Sequence, residues 1–133
     1  MRRPAMRIAG PVLGSDDPLA LADFYARLLG WPVVDREHTG VDGATEDWAR
    51  LRAPSGEKLE FQYEPHFTPP VWPPVKGEQQ MLIHLDIGVP DLATGVAWAV
   101  EAGAREAAHQ PQPDVRVMLD PAGHPFCLFP DDA

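Results

Sequence analysis

The sequence predicts an α+β fold of two β-α-β-β-β repeats, forming a cupped mixed sheet with the helices on its outer face. The evidence is an internal duplication. Residues 10–17 and 84–91 each lead through an Asp into a helix pattern, and residues 54–60 and 121–127 each contain a Pro-x-Gly turn followed by strand-forming residues. A repeat of about half the chain indicates two similar units around a pseudo-two-fold axis, with a cleft between them.

Two helices are predicted by their capping signals and by apolar residues at helical spacing. Asp17 is a suitable N-cap and Pro18 a suitable first helical residue, and Gly30 ends the segment. In the second repeat the helix starts after Asp91 and ends at Gly103. Phe24 and Trp98 lie on the apolar stripes of these helices, so both are predicted to lie in the core, while Tyr25 is predicted to bring its hydroxyl to the core's rim.

The strands are predicted from short apolar or alternating segments bounded by turn residues. The alternation is clearest where Leu59 and Phe61 point to one face and Glu60 and Gln62 to the other. Residues 39–47 and 110–113 are predicted to be loops. The predicted strands are 7–14, 32–36, 48–53 and 57–64 in the first repeat, and 81–89, 105–108, 115–119 and 126–129 in the second.

A single domain is predicted over residues 1–133, because this length suits one domain and the two halves carry no obvious linker of their own. Its first repeat covers about residues 6–64 and its second about 79–130. The crossover between them, residues 65–78, holds five prolines, and proline cannot donate to a sheet ladder. Whether the two repeats pair within one chain or between chains is open at this level.

Composition narrows the class of partner. The chain carries 20 acidic and 11 basic residues, a net charge of −9, which disfavours nucleic acid and suits a basic small molecule. Cys127 is the only cysteine, so no intrachain disulfide forms. The sequence has no apolar run of membrane-spanning length and no signal-peptide pattern, so we expect a cytoplasmic protein with no membrane partner.

Several ordered motifs carry a family resemblance. Asp23-Phe24-Tyr25 precedes Leu29-Gly30, His84-Leu85-Asp86 precedes Asp91-Leu92, and residues 120–126 read Asp-Pro-Ala-Gly-His-Pro-Phe. In this order and in duplicate they resemble the vicinal-oxygen-chelate superfamily, which includes glyoxalase I, extradiol dioxygenases and bleomycin-resistance proteins. The segment before the His84-Leu85-Asp86 strand, with its prolines and Trp72, is similar to the middle segment of the superfamily's glyoxalase-like subgroup. The resemblance covers nearly the whole chain and implies homodimers, with drug-like compounds among the ligands.

The resemblance also implies where a metal would bind. Metal enzymes of the superfamily take one ligand from the first and one from the last strand of each half, which correspond here to Gly10, Glu60, His84 and Cys127. Glu60 and His84 suit a divalent ion, Cys127 suits a soft metal as thiolate, and Gly10 offers no side chain. Two firm ligands are fewer than the three usual in catalytic sites, so we expect no metal cofactor. If one binds, Glu60 and His84 hold it, with Cys127 as a further candidate.

The candidate catalytic residues are His84 and Glu60. His84 lies two residues before Asp86 on one strand face, and a carboxylate neighbour favours a charged imidazole that can transfer protons. The alternative is a hydrogen-bonded structural histidine. Glu60 and Gln62 either line the cleft or face solvent. The candidate ligand-binding residues are Gln62, Asp86, Trp72 and Trp48, the tryptophans because a flat aromatic surface binds apolar rings.

Three functions remain open. The first is a binding module that holds a small organic molecule in the cleft between the repeats without metal. The second is a metal-dependent lyase, isomerase or dioxygenase that uses Glu60 and His84, in which the ion polarises substrate oxygens. The third is metal-free acid–base catalysis by His84 with Glu60.

Overall fold

The computed structural model describes residues 1–38 and 47–131, and its first repeat forms one mixed four-stranded sheet. In this sheet β1 runs parallel to β4, and the remaining neighbours are antiparallel, in the order β1-β4-β3-β2. The predicted loop 39–47 lies outside the described residues except for Asp47. The elements are β1 Val12–Ser15, α1 Pro18–Leu29, β2 Val33–Glu37, β3 Trp48–Arg52 and β4 Lys58–Tyr63.

The second repeat reproduces this topology. Its sheet has the order β5-β8-β7-β6, with β5 parallel to β8 and the other pairs antiparallel. The predicted duplicated α+β fold is therefore confirmed, as two four-stranded mixed sheets with one helix each. The elements are β5 Leu85–Val89, α2 Leu92–Ala102, β6 Arg105–Glu106, β7 Arg116–Leu119 and β8 Pro125–Pro130.

The helix ends follow the predicted signals. The Asp17 side chain accepts from the Ala20 N–H at 3.2 Å, and Asp91 accepts from the Thr94 N–H at 2.9 Å. Each carboxylate thereby pairs an N–H that has no partner within the helix. Gly30 has φ 69°, the left-handed conformation that glycine adopts without strain, and ends α1.

The first strand of each repeat is shorter than predicted. β1 begins at Val12 and not at Arg7, and β5 begins at Leu85 and not at Met81. The register explains both differences. Val12 lies opposite Glu60 near the start of β4, and Leu85 lies opposite Phe126 near the start of β8. Pro11 has no N–H to donate to the ladder, and residues before Gly10 or His84 would extend past the first residues of β4 and β8 into the preceding turns, where no strand is available to pair with them.

Both repeats of one chain share a single core. The Tyr25 ring lies 5.7 Å from Phe61 in the first sheet and 6.1 Å from Phe126 in the second, measured between centroids. All three side chains are fully buried. The repeats therefore pack against each other within the chain.

The core prediction holds for Phe24, which is 1% exposed, but is wrong for Trp98, which is 49% exposed. The buried positions of α2 are Ala99 and Ala102, whose small side chains allow close packing. The indole of Trp98 instead lies at the edge of the helix pair, where its Nε1 donates to the Leu28 carbonyl at 3.0 Å. An indole N–H needs an acceptor, and the exposed end of α1 supplies one.

A buried polar link joins the two repeats. The Tyr25 hydroxyl donates to Asp120 Oδ2 at 2.8 Å, and Asp120 Oδ1 accepts from the Ala122 and His124 N–H groups at 2.9 and 3.0 Å. His124 Nε2 lies 2.8 Å from the Gly14 carbonyl in β1. Burial raises the pKa of Asp120, although His124 and the hydrogen bonds oppose this. The predicted rim position of the Tyr25 hydroxyl is wrong: the side chain is fully buried, because Asp120 of the other repeat supplies an acceptor inside the protein.

Candidate functional site

Strand alternation gives each sheet one face that its helix leaves open. Leu59 and Phe61 of β4 are buried in the core, so Glu60 between them faces the other way. In β8 the same holds for Cys127, which lies between the buried Phe126 and Leu128. These open faces carry the candidate site residues.

On the first sheet, Glu60 is held by two cations. Its Oε2 accepts from Arg50 Nη2 at 2.9 Å and from Nε at 3.1 Å, and its Oε1 lies 3.1 Å from Lys58 Nζ. Arg50 is the cross-strand partner of Glu60, and Lys58 shares its face two residues earlier. Partial burial opposes the charge, but the hydrogen bonds and charges of Arg50 and Lys58 outweigh it and lower the pKa of Glu60. Both carboxylate oxygens are engaged by the chain itself.

Trp48 and Gln62 lie beside this ion cluster. They are direct cross-strand partners, and the Arg50 guanidinium lies 5.3 Å from the centre of the Trp48 ring. The Trp48 Nε1 donates to Glu37 Oε2 at 2.8 Å. The structure thus places Glu60, Gln62 and Trp48 on the open face of the first sheet, where Glu60 pairs with Arg50 and Lys58.

On the second sheet, three potential ligands converge. His84 Nε2 lies 3.1 Å from Asp86 Oδ1, and Asp86 and Cys127 are Cα partners in the parallel ladder. One donor atom from each of the three lies within 4.8 Å of the others. Burial, and then the negative charge of Asp86, raises the pKa of the Cys127 thiol. The strand register itself brings an imidazole, a carboxylate and a thiol to one point.

Two adjoining cavities open over this trio. One has a volume of about 480 Å³ and the other about 200 Å³, and both are lined by His84, Gln112, Val115 and Cys127. Asp86, Asp114 and Phe129 line the larger cavity. The smaller one is mainly apolar, with Trp72, Met81, Pro111, Val117 and Pro125 in its wall.

The crossover supplies the outer wall of the smaller cavity. Trp72 Nε1 donates to the His109 carbonyl at 3.0 Å, and the two rings lie 6.0 Å apart. This hydrogen bond connects the crossover to the loop after β6 and holds the indole over the second sheet. Trp72 thus lines the smaller cavity with His84, and Asp86 lines the larger one with His84, whereas Gln112 and Met81 were not among the predicted residues. Gln112 lies between two prolines of the predicted loop 110–113 and Met81 at the start of the predicted strand 81–89, and neither position carries a sequence signal for ligand binding.

A third cavity, of about 550 Å³, lies between the repeats. It is bounded by β1, by both ends of the crossover, and by His84 and His124. Glu60 lines none of the three cavities at His84, as far as the described residues define them. The structure therefore places Glu60 in its own ion cluster and His84 beside Asp86 and Cys127.

The four positions implied by the family's metal enzymes do not fit a divalent ion here. Gly10 has no side-chain donor and Glu60 is occupied by Arg50 and Lys58. Only His84 and Cys127 remain available from that set.

The family is shown by comparison. The family model described as a glyoxalase-like domain matches residues 11–129. The chain belongs to this glyoxalase-like family. No match is found among the curated proteins.

Solved structures confirm the fold of this glyoxalase-like protein. It is similar to a glyoxalase family protein from Enterococcus faecalis, with 21% identity, a TM-score of 0.67, and coverage of 92% of this chain and 96% of that one. A glyoxylase/bleomycin resistance protein/dioxygenase domain from Frankia sp. EAN1pec has 17% identity and a TM-score of 0.63, covering 96% and 98%. A mutant of the fosfomycin resistance protein FosX from Listeria monocytogenes, complexed with Mn(II) and 1S,2S-dihydroxypropylphosphonic acid, has 8% identity and a TM-score of 0.66, covering 95% and 90%.

The helices of the protein are short. Neither α1 nor α2, the helices of the described residues, has the length and apolarity needed to cross a bilayer.

Proposed function

We propose that this glyoxalase-like protein binds a small organic molecule in the cavities over the second sheet, next to the boundary between the repeats. The observation that carries the proposal is the junction of the two cavities of about 480 and 200 Å³ above His84 and Cys127. Ligand pockets typically measure about 300–1,000 Å³ and combine an apolar wall with a few polar groups.

The lining indicates how such a ligand is held. Trp72 and Met81 offer an aromatic and a polarisable surface for an apolar body, and the indole is already positioned by its bond to His109. At the other end, His84, Asp86 and Gln112 supply polar contacts. The acidic balance of the chain favours a basic molecule. Glu60, Gln62 and Trp48 are the contacts we propose for a ligand that extends onto the first sheet.

A thermal-shift and tryptophan-fluorescence screen with small aromatic amines tests this proposal. We expect stabilising ligands whose effect persists in EDTA, and whose effect is lost in Trp72→Ala and in His84→Ala. Trp98→Ala is the matched control, because that indole lies on the helical side of the fold. If metal ions alone shift the melting temperature, the binding proposal is wrong.

The second candidate is a metal-dependent lyase, isomerase or dioxygenase. The observations in its favour are the three donors at His84 and the Mn(II) in the FosX structure, which belongs to the same fold. This function requires about one equivalent of bound metal in protein purified without chelator. Elemental analysis that finds no metal, together with no uptake on titration, would exclude it.

A metal-free variant of this chemistry uses His84 as acid–base catalyst with Glu60. His84→Ala should then abolish turnover and leave ligand binding nearly intact. Equal loss of turnover and binding would count against it.

We also propose a cytoplasmic homodimer. Apolar side chains upstream of both first strands are strongly exposed: Ile8 is 96% exposed, Leu82 83% and Ile83 84%. Adjacent apolar side chains of this size commonly mark an interface. Light scattering at tens of micromolar should give twice the chain mass, and Ile83→Lys should shift it towards the monomer. A monomer for the unaltered protein would contradict the proposal.

A further inference from the structure

We infer that His84, Asp86 and Cys127 form a binding site for a soft divalent cation, of the Zn²⁺ class, that belongs to the second repeat alone. This goes beyond the proposed function, since the binding of an organic molecule against Trp72 and Met81 does not require an ion. It also differs from the arrangement implied by the family's metal enzymes, in which both repeats contribute ligands.

The backbone sets the position of all three donors. Asp86 lies in β5 and His84 immediately precedes this strand, and the His84 Nε2 lies 3.1 Å from Asp86 Oδ1. Asp86 and Cys127 are directly paired across the β5–β8 ladder. Two of the donors thus lie on hydrogen-bonded strands, and the third immediately precedes one. Sites built on strands are held more precisely than sites on loops.

The spacing suits a single ion. One nitrogen, one oxygen and the sulfur lie within 4.8 Å of one another, and the nitrogen and oxygen are 3.1 Å apart. In tetrahedral geometry, an ion at about 2.0–2.3 Å from each donor places its ligands about 3.3–3.8 Å from one another. To share an ion, the outermost pair of donors, up to 4.8 Å apart, must therefore approach by about 1 Å, and the His84–Asp86 pair at 3.1 Å must separate slightly.

The donor types select the ion. Thiolate and imidazole are ligands of Zn²⁺, Co²⁺ and Cu, whereas Mg²⁺ and Ca²⁺ prefer all-oxygen sites. Three protein ligands with one side open to a cavity of about 480 Å³ leave a coordination position for water or for a ligand atom. The site thus has the pattern of an exchangeable centre and not of a closed structural one.

The first repeat is not needed for this site. Glu60 has both carboxylate oxygens in contact with Arg50 and Lys58. Releasing it for a metal would leave two half-buried cations without their partner, at a cost in free energy. Glu60 is therefore dispensable for binding the ion, and Asp86 is required.

A cobalt titration of reduced, chelator-treated full-length protein tests the inference. We expect uptake of about one Co²⁺ per chain, with a thiolate-to-cobalt absorption band in the near ultraviolet that is absent from Cys127→Ser. His84→Ala and Asp86→Ala should each bind at least roughly tenfold more weakly. Glu60→Gln, the matched control, should bind as the unaltered protein does. Zn²⁺ should displace the cobalt, and excess Mg²⁺ should not.

Three results would overturn the inference: no cobalt uptake, uptake without the thiolate band, or weakening by Glu60→Gln as large as that by His84→Ala. The last would indicate a centre shared by both repeats. Circular dichroism of each variant separates lost binding from lost folding. The organic-ligand screen in EDTA is independent of this titration, so failure of one proposal is distinguishable from failure of the other.

Discussion

The open faces of the two sheets have the same topology and opposite chemistry. On the first sheet, Arg50, Lys58 and Glu60 satisfy one another in a compact ion cluster. On the second, His84, Asp86 and Cys127 form a trio of potential ligands with cavities above it. A duplicated fold thus holds two copies of one surface, of which one is closed by its own side chains and the other is open to a ligand.

The difference arises at equivalent positions. In the repeat alignment, Glu60 corresponds to Cys127, and Gly10 to His84. The neighbours of Glu60 are basic, whereas the cross-strand partner of Cys127 on β5 is acidic. The sheet geometry is common to both, so the choice between an ion cluster and a donor trio depends on these few substitutions.

The largest expected loss of stability concerns the aromatic core that the two sheets share. Phe61→Ala and Phe126→Ala should each destabilise the protein by about 3–5 kcal/mol, because both rings are fully buried on either side of Tyr25. Urea unfolding should remain a single transition in both variants. By contrast, His84→Ala on the open face should cost under about 1 kcal/mol. Two separate transitions in either Phe variant would show that the repeats have separate cores.

The next effect concerns the link between repeats. Asp120→Ala should cost about 3 kcal/mol, because it leaves the buried Tyr25 hydroxyl and two partly buried N–H groups without their acceptor. Asp120→Asn keeps an acceptor oxygen and should cost less. Denaturant midpoints of the two variants provide the comparison, and equal losses would contradict the role assigned to the acceptor.

A smaller effect distinguishes the ion cluster by its pH dependence. Because the pKa of Glu60 is lowered by folding, its stabilising contribution is present above the ordinary value of 4.5 and is lost as pH falls through the lowered one. Glu60→Gln should therefore cost up to about 1 kcal/mol at pH 7, and the difference from the unaltered protein should shrink towards pH 3. Urea midpoints at both pH values measure this. Glu78→Gln, at an exposed position in the crossover, is the control, and a constant difference would contradict the prediction.

The smallest effect concerns Cys127. Burial and the charge of Asp86 raise its thiol pKa, so Asp86→Asn should lower that pKa while leaving the larger contribution of burial in place. In chelator-treated protein, the reaction of Cys127 with a disulfide reagent at pH 8 should then be a few-fold faster. Rates measured across pH give the midpoint directly, and an unchanged midpoint would show that Asp86 does not act on the thiol.

Much of the candidate site was predictable from sequence, because its residues are brought together by short spacings along the chain. Glu60 and Gln62 share a face because they are two residues apart on β4, and the same spacing in the sequence brings His84, just before β5, into contact with Asp86. The predicted contact between Glu60 and the site of His84 remains a proposal, since it depends on how two sheets face each other. Gln112 and Met81 were not predicted because their positions come from irregular segments, where no periodicity constrains the side-chain direction.

The sequence by itself determined the duplicated topology, the helix limits and the residues of each strand face, because capping and period-two alternation act between neighbours in the chain. Only the tertiary structure decided which of the two faces is closed, where Trp98 lies and how Tyr25, Asp120 and His124 join the repeats. Those outcomes depend on strand register and on contacts between distant segments. Packing and polar satisfaction determine such contacts over the whole chain, and local pattern does not.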